Sequence, residues 1–265
     1  MKGILFSIGL TMMGLIVLGA ALSLAQGRTR ENIDILKLSV YDRIYDESAS
    51  IDNGYRSLVS NAITVTSSGN NVSFKEVLPN PYAADFQLDS ARFVLFVRQF
   101  KDFEMKISVD EGNLPMFVLP AGILYNHTNG FGGNTISVSN AQAVKKYDIT
   151  ITLPASGSFN WTSINTDPGG LEVHIRGEPG GYDGTSFLST SATSVFRASS
   201  GGNDTLLTFG PGKALDIASN SLTAEITTSM TIDTTAPLSV VLNDESINIT
   251  ASEYNITRIG PVRVL

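Results

Sequence analysis

His127 and His174 are the only two histidines in the chain, and cysteine is absent. That pairing excludes disulfide scaffolds, thiolate nucleophiles and sulfur-ligated zinc, and leaves any imidazole chemistry to one of two residues. His174 lies between Val173 and Ile175 on a predicted strand, so it faces the side opposite those apolar neighbours. His127 reads as a loop residue inside the sequence Asn126-His127-Thr128. Carboxylates adjoin at Asp110-Glu111 and Asp244-Glu245; two carboxylates facing each other across a sandwich would suit glycoside hydrolysis, whereas adjacent pairs like these read as surface turns. Hard-oxygen ligands for calcium are available in Asp167, Glu178 and Asp183, each beside a Gly-rich turn but without EF-hand spacing. Trp161, the one tryptophan, could stack on a sugar together with Tyr182 or join the core. P-loop, dinucleotide-binding, H-E-x-x-H and G-x-S-x-G patterns are all missing. The residues therefore predict no enzyme and no cofactor, with calcium the one metal for which ligands exist.

Six Asn-x-Ser/Thr sequons stand at Asn71, Asn126, Asn160, Asn203, Asn248 and Asn255. With 18 asparagines and 52 serines and threonines in 265 residues, chance alone predicts roughly 3.5, so the excess fits an external location without proving modification. Asn126 and Asn203 read as loop positions; Asn248 and Asn255 fall in strand-like runs. Charged residues make up 16% of the chain, below the ~25% of an average soluble domain, so hydroxyls carry its polarity. The net charge of −7 arises wholly after residue 146, where twelve acidic side chains meet five basic ones. Phosphate recognition needs clustered Lys and Arg, so nucleic acid is not a predicted partner.

Positioning begins at the N-terminus. Ile4 to Ala25 are twenty-two residues without a charge, about 33 Å as a helix and enough to cross the ~30 Å hydrocarbon core. Lys2 flanks one end, and Arg28 and Arg30 the other. The Ser/Thr-rich body that follows favours an N-terminus inside and a C-terminal domain outside the membrane. A secretory signal cut between Ala25 and Gln26, after Ser23-Leu24-Ala25, is the competing reading. Residues 1–27 are thus a short leader and transmembrane helix.

Residues 28–61 form an amphipathic stalk. Ile33, Leu36, Val40, Ile44, Ile51, Tyr55, Leu58 and Ala62 recur at helical spacing, interrupted near Glu47 and Ser48. A stripe of that length needs a partner, which is either the chain's own β domain or like subunits. Asn53-Gly54 is a potential early break.

A leader ending in Lys2-Gly3, an apolar helix, an amphipathic continuation and a β-rich body together resemble archaeal type IV pilin-like proteins. The resemblance covers the first ~60 residues. It implies cleavage by a prepilin peptidase between Gly3 and Ile4, with Ile4 to Ala25 anchoring the subunit and then packing in a filament core. The leader has a single Lys, and Ile8 occupies the position where many bacterial pilins carry Glu. The large head matches a minor or pilin-like anchored protein better than a bulk filament subunit.

Past Ala62 the helical period gives way to strands. Leu222, Ala224, Ile226, Thr228, Met230 and Ile232 alternate with polar residues, and shorter runs occur at 149–153, 171–175, 238–242 and 246–250. Turns are marked by Asn80-Pro81, Asp167-Pro168-Gly169-Gly170, Glu178-Pro179-Gly180-Gly181 and Gly210-Pro211-Gly212. The run from Ala91 to Phe103 is apolar on both strand faces and predicts a central buried strand. The predicted fold is mainly β with a long N-terminal helix, and residues 62–265 form an extracytoplasmic, jelly-roll-like β-sandwich. The function expected is an externally displayed pilin-like structural or adhesion protein at the cell membrane or in a surface filament. Its partners would be the membrane, like subunits and surface glycans. The alternative is a membrane-tethered glycan- or ligand-binding module that does not polymerise, distinguished by whether its own head covers the stalk stripe.

Overall fold

In the computed structural model, residues 17–18, 21–23, 38–79, 81–100, 104–107, 113–130, 133–220, 222–251 and 256–265 are described. Helix α1 covers 38–62. Ile44, Ser48, Ile51, Tyr55, Val59 and Ala62 are its buried residues, stepping by three or four along one face. Ser48 fills the gap that the apolar stripe shows near Glu47. The helix runs through Asn53-Gly54 without a break. A Cβ on Gly54 would come within 2.4 Å of the Phe93 ring, so the glycine serves close helix packing rather than termination.

A hairpin of β1 (Thr64–Ser68) and β2 (Asn71–Leu78) follows, and then helix α2 (Pro81–Phe100). The predicted central strand from Ala91 is therefore corrected: as far as Phe100 that stretch is helical, and 101–103 lie outside the described residues. Ser90, Val94 and Val97 face inward at helical spacing, while Leu95 and Phe96 are exposed. An apolar run read alone fits both periods. Here the length decides, with twenty residues opened by Pro81 at the first helical position, where its missing N–H costs nothing.

The rest of the described chain is almost entirely strand. In order come β3 (Glu104–Ile107), β4 (Asn113–Leu119), β5 (Ile123–Gly130), β6 (Gly133–Ser139), β7 (Val144–Thr152) and β8 (Ser158–Ser163). Then follow β9 (Thr166–Glu178), β10 (Tyr182–Leu188), β11 (Ser194–Ser200), β12 (Asn203–Phe209) and β13 (Leu215–Asn220). The chain closes with β14 (Ala224–Ile232), β15 (Ser239–Ala251) and β16 (Ile256–Arg263). The runs at 238–242 and 246–250 merge into β15, whose pairing register slips between Val241 and Ser246.

The strands build two sheets, a six-stranded one ordered β1-β2-β14-β7-β9-β10 and a ten-stranded one ordered β16-β15-β4-β5-β6-β13-β12-β11-β8, with β3 also on β15. Neighbours are antiparallel except β7 and β9, which run parallel because β8 crosses to the other sheet between them. The two inner faces share one core, in which Phe74 stacks on Tyr125 at 3.9 Å and Tyr147 packs near Phe209 at 6.1 Å. A mainly β fold of two sheets, consistent with a β-sandwich, is thus what the alternation predicts.

Candidate functional site

On the outer face of the six-stranded sheet, strand alternation places every second residue toward solvent, and those residues are overwhelmingly hydroxyl or charged. Pairing aligns them in transverse rows: Thr66, Ser73, Ser229, Asp148, His174 and Thr185 form one. Beside it run Thr64, Lys75, Thr227, Thr150, Arg176 and Asp183. A third row holds Ser68, Asn71, Thr231, Lys146, Glu172 and Phe187. Part of all three rows lines a groove of about 600 Å³, with nine neutral hydroxyl or amide residues and the charged trio Lys146, Asp148 and Arg176.

Hydrogen bonds hold the rows in place. Ser73 and Ser229 hydroxyls lie 2.7 Å apart, and the Thr231 hydroxyl donates to Asn71 Oδ1 at 2.6 Å. Lys146 Nζ meets Glu172 at 3.0 Å, and Lys75 Nζ meets Glu225 at 2.9 Å. His174 bridges two carboxylates, with Nδ1 3.3 Å from Asp148 Oδ2 and Nε2 2.5 Å from Asp183 Oδ1. The His174 hydrogen bond, aided by its charge and that of Arg176, holds the Asp183 carboxyl below its ordinary range. Both ring nitrogens of His174 face carboxylates, so neither is directed at a hydroxyl of the groove. The groove offers fixed hydroxyl, amide and charged groups as hydrogen-bond donors and acceptors.

The other candidate residues do not gather there. Trp161 turns toward the core, edge-on to Phe196 at 5.2 Å, and Tyr182 packs on Phe159 and Phe196, so the two rings make no sugar platform. Asp167 and Glu178 stand near opposite ends of β9, and Asp183 is engaged by His174, so the calcium ligands do not converge. Among the described residues no group of three or more His, Asp or Glu is placed to hold a metal ion. Asp110-Glu111 lies outside the described residues, and Asp244-Glu245 falls within β15.

His127 is a correction: it is a buried residue of β5 rather than a loop residue. Its Nδ1 lies 2.5 Å from Glu76 Oε2, and the Tyr125 hydroxyl donates to Glu76 Oε1. Glu76 reaches inward from β2, so this polar cluster joins the two sheets through the core. Burial, reinforced by the Glu76 charge and hydrogen bond, pushes the Tyr125 phenol far up. The signal for it lies in β2, where Val72, Phe74, Glu76 and Leu78 alternate as one inward-facing set with the carboxylate among apolar residues.

Of the sequons, Asn71, Asn160 and Asn203 are exposed, on β2, β8 and β12. Asn126 is not in a loop; it is half-buried in β5 and donates through Nδ2 to Thr128 at 3.2 Å. Asn248 belongs to β15, and Asn255 lies outside the described residues.

The stalk stripe packs on its own head. Ile44, Ile51 and Tyr55 are 2, 3 and 0% exposed, and Val40 and Leu58 are partly buried against the same core. Tyr55 shares a 2.8 Å hydrogen bond with Ser90 and meets Phe93 edge-on at 5.2 Å, and Arg56 donates to the Arg263 carbonyl. Ile33, Leu36 and the Gly3-Ile4 junction lie outside the described residues. Among the described residues no helix is long and apolar enough to cross a membrane; most of Ile4 to Ala25 lies outside them. Its described helical residues include Val17, Leu18 and Leu22, all exposed.

These features define a two-sheet β domain with a helix packed on it and a polar sheet face. Compared with family models, curated proteins and solved structures, the chain finds no match in any of the three.

Proposed function

We propose that the chain is a membrane-tethered, externally displayed recognition module. Ile4 to Ala25 anchors it with the N-terminus inside, α1 is a strut fused to the head, and a jelly-roll-like sandwich presents its hydroxyl-lined face to glycans. The burial of Ile44, Ile51 and Tyr55 beneath the chain's own head carries this reading, because a stripe already covered is not free to bind like subunits. The rows of Ser and Thr support a neutral, polyhydroxylated ligand, which can exchange hydrogen bonds with water for hydrogen bonds with fixed hydroxyls. The second reading is a pilin-like filament protein, favoured by Lys2-Gly3 before the apolar run and by the exposure of Val17, Leu18 and Leu22. In that case assembly uses Ile4 to Ala25 and not the covered residues Ile44, Ile51 and Tyr55.

Intact mass and N-terminal sequence of the protein from native membranes separate the two. An uncut Met1 supports the tethered module, a start at Ile4 makes assembly the working account, and a start at Gln26 removes the anchor and overturns both. Calorimetric titration of the full chain in detergent with maltohexaose, mannohexaose and chitohexaose tests the face itself. Binding of at least one, weakened by Thr227→Val together with Ser229→Ala, is the expected result; no binding of any overturns the glycan assignment.

A further inference from the structure

Asn71 is placed where a modification would act on the groove. It is an exposed residue at the start of β2, and both Asn71 and Ser73 of its sequon line the groove. Thr231 donates to Asn71 Oδ1 at 2.6 Å, which fixes the amide and turns Nδ2, the atom that would carry a sugar, away from Thr231. The other described sequons differ. Asn160 and Asn203 are exposed on the ten-stranded sheet, Asn248 belongs to β15 of that same sheet, and Asn126 uses its Nδ2 on Thr128. Asn71 stands in the row that ends the groove beside the β1-β2 turn, with the hydroxyls of Thr66, Ser73 and Ser229 in the next row inward.

We propose that N-glycosylation of Asn71 regulates the groove, its first sugars occupying the hydroxyl rows and excluding a free oligosaccharide. This rests on the reading of that face as the glycan-binding surface. In the modification, Nδ2 displaces the phosphate of a glycosyl phosphate or pyrophosphate donor. The anomeric C–O bond breaks, the C–N bond forms, Nδ2 loses one proton, and the phosphate leaves with the bonding pair. Once attached, the sugar is held beside its own binding surface at an effective concentration of ~mM, enough to outcompete a weak free ligand. The same hydroxyls that would recognise an external glycan would then bind the internal one.

The test compares the full chain in detergent from its native membrane with the same chain from a host that lacks N-glycosylation, and Asn71→Gln made in the native source with Asn71→Gln made in that host. Glycopeptide mass locates the modification, and calorimetry with maltohexaose, mannohexaose and chitohexaose reads the groove. The unmodified chain should bind its preferred oligosaccharide about tenfold tighter than the native chain, and Asn71→Gln, which also alters a groove residue, should bind equally whether made in the native source or in the host that lacks N-glycosylation. An unmodified Asn71 in the native protein, or equal affinities despite a glycan there, overturns the proposal. Periodate oxidation of the Asn71 glycan gives a readout independent of any added ligand. Slower oxidation in the folded chain than after urea unfolding supports the seat, and equal rates overturn it. If no form binds a probe and the glycan is nevertheless protected, the external-ligand reading fails while the seating of the Asn71 sugar stands.

Discussion

Replacing Tyr55 by alanine tests the contact on which the functional reading depends. Tyr55 is fully buried, its ring meets Phe93 edge-on at 5.2 Å, and its hydroxyl bonds to the fully buried Ser90 at 2.8 Å. Truncating a buried aromatic costs ~3–5 kcal/mol through lost transfer energy and the cavity left behind. Stranding the Ser90 hydroxyl adds about 1 kcal/mol or more. Tyr55→Phe keeps the ring and loses only the hydrogen bond, so about 1 kcal/mol is expected of it. Urea unfolding of the full chain in detergent, followed by the fluorescence of Trp161 packed on Phe196, reads both variants on one core probe. Against a typical stability of ~5–15 kcal/mol, the alanine variant would lose about a quarter or more of what holds the head folded. A loss below about 1 kcal/mol for Tyr55→Ala would mean that α1 does not pack on the head. The stripe would then be available to neighbouring subunits, and the tethered-module reading would lose its main support.

Three further outcomes follow from the same structure. Glu76→Ala removes the shared partner of Tyr125 and His127 from the core, and denaturant unfolding should show a loss of ~3–5 kcal/mol; a change below 1 kcal/mol would place the cluster in water. Gly170→Ala should destabilise by ~1–3 kcal/mol because its Cβ would sit 1.9 Å from the Leu188 carbonyl oxygen. Gly169→Ala, whose nearest neighbour is 3.8 Å away, should be close to neutral in the same assay. The folded-state pKa of Asp183 is lowered by His174, so its contribution to stability is complete above the unfolded value of ~4 and is lost as pH falls through the folded one. Unfolding midpoints should therefore decline less steeply below pH ~5 in Asp183→Asn than in the parent chain, and parallel declines would mean that the His174 contact contributes nothing.

Several elements were legible because their patterns have a single period. The alternation from Ala224 to Ile232 is β14, with Leu222 just ahead of it, and Glu178-Pro179-Gly180-Gly181 is the turn into β10 with Gly181 at φ +68°. The stripe residues of α1 were legible for the same reason. The helical segment from Ala91 was not, because apolar residues on all sides satisfy both periods and only the packing of Ser90, Val94 and Val97 selects one. His127 was misread because Asn126-His127-Thr128 is polar, and polarity marks a loop only when no buried partner exists. The candidate site was half visible: Thr227, Ser229 and Thr231 are the outward half of an alternation that was read for its inward half.

Local patterns determined that the chain begins with an apolar run and an amphipathic helix, continues as strands with Gly/Pro turns, and carries its polarity in hydroxyls. Those properties depend on neighbours within a few residues, where period and turn chemistry act. Tertiary structure alone decided what covers the stripe, which strands lie side by side, and hence which hydroxyls share a row. Ser73 and Ser229 are 156 residues apart in sequence and 2.7 Å apart in space; Glu76 reaches Tyr125 and His127 only because two sheets close over it. Strand order follows from the joint burial of many apolar faces at once, and no single segment of the chain contains that sum.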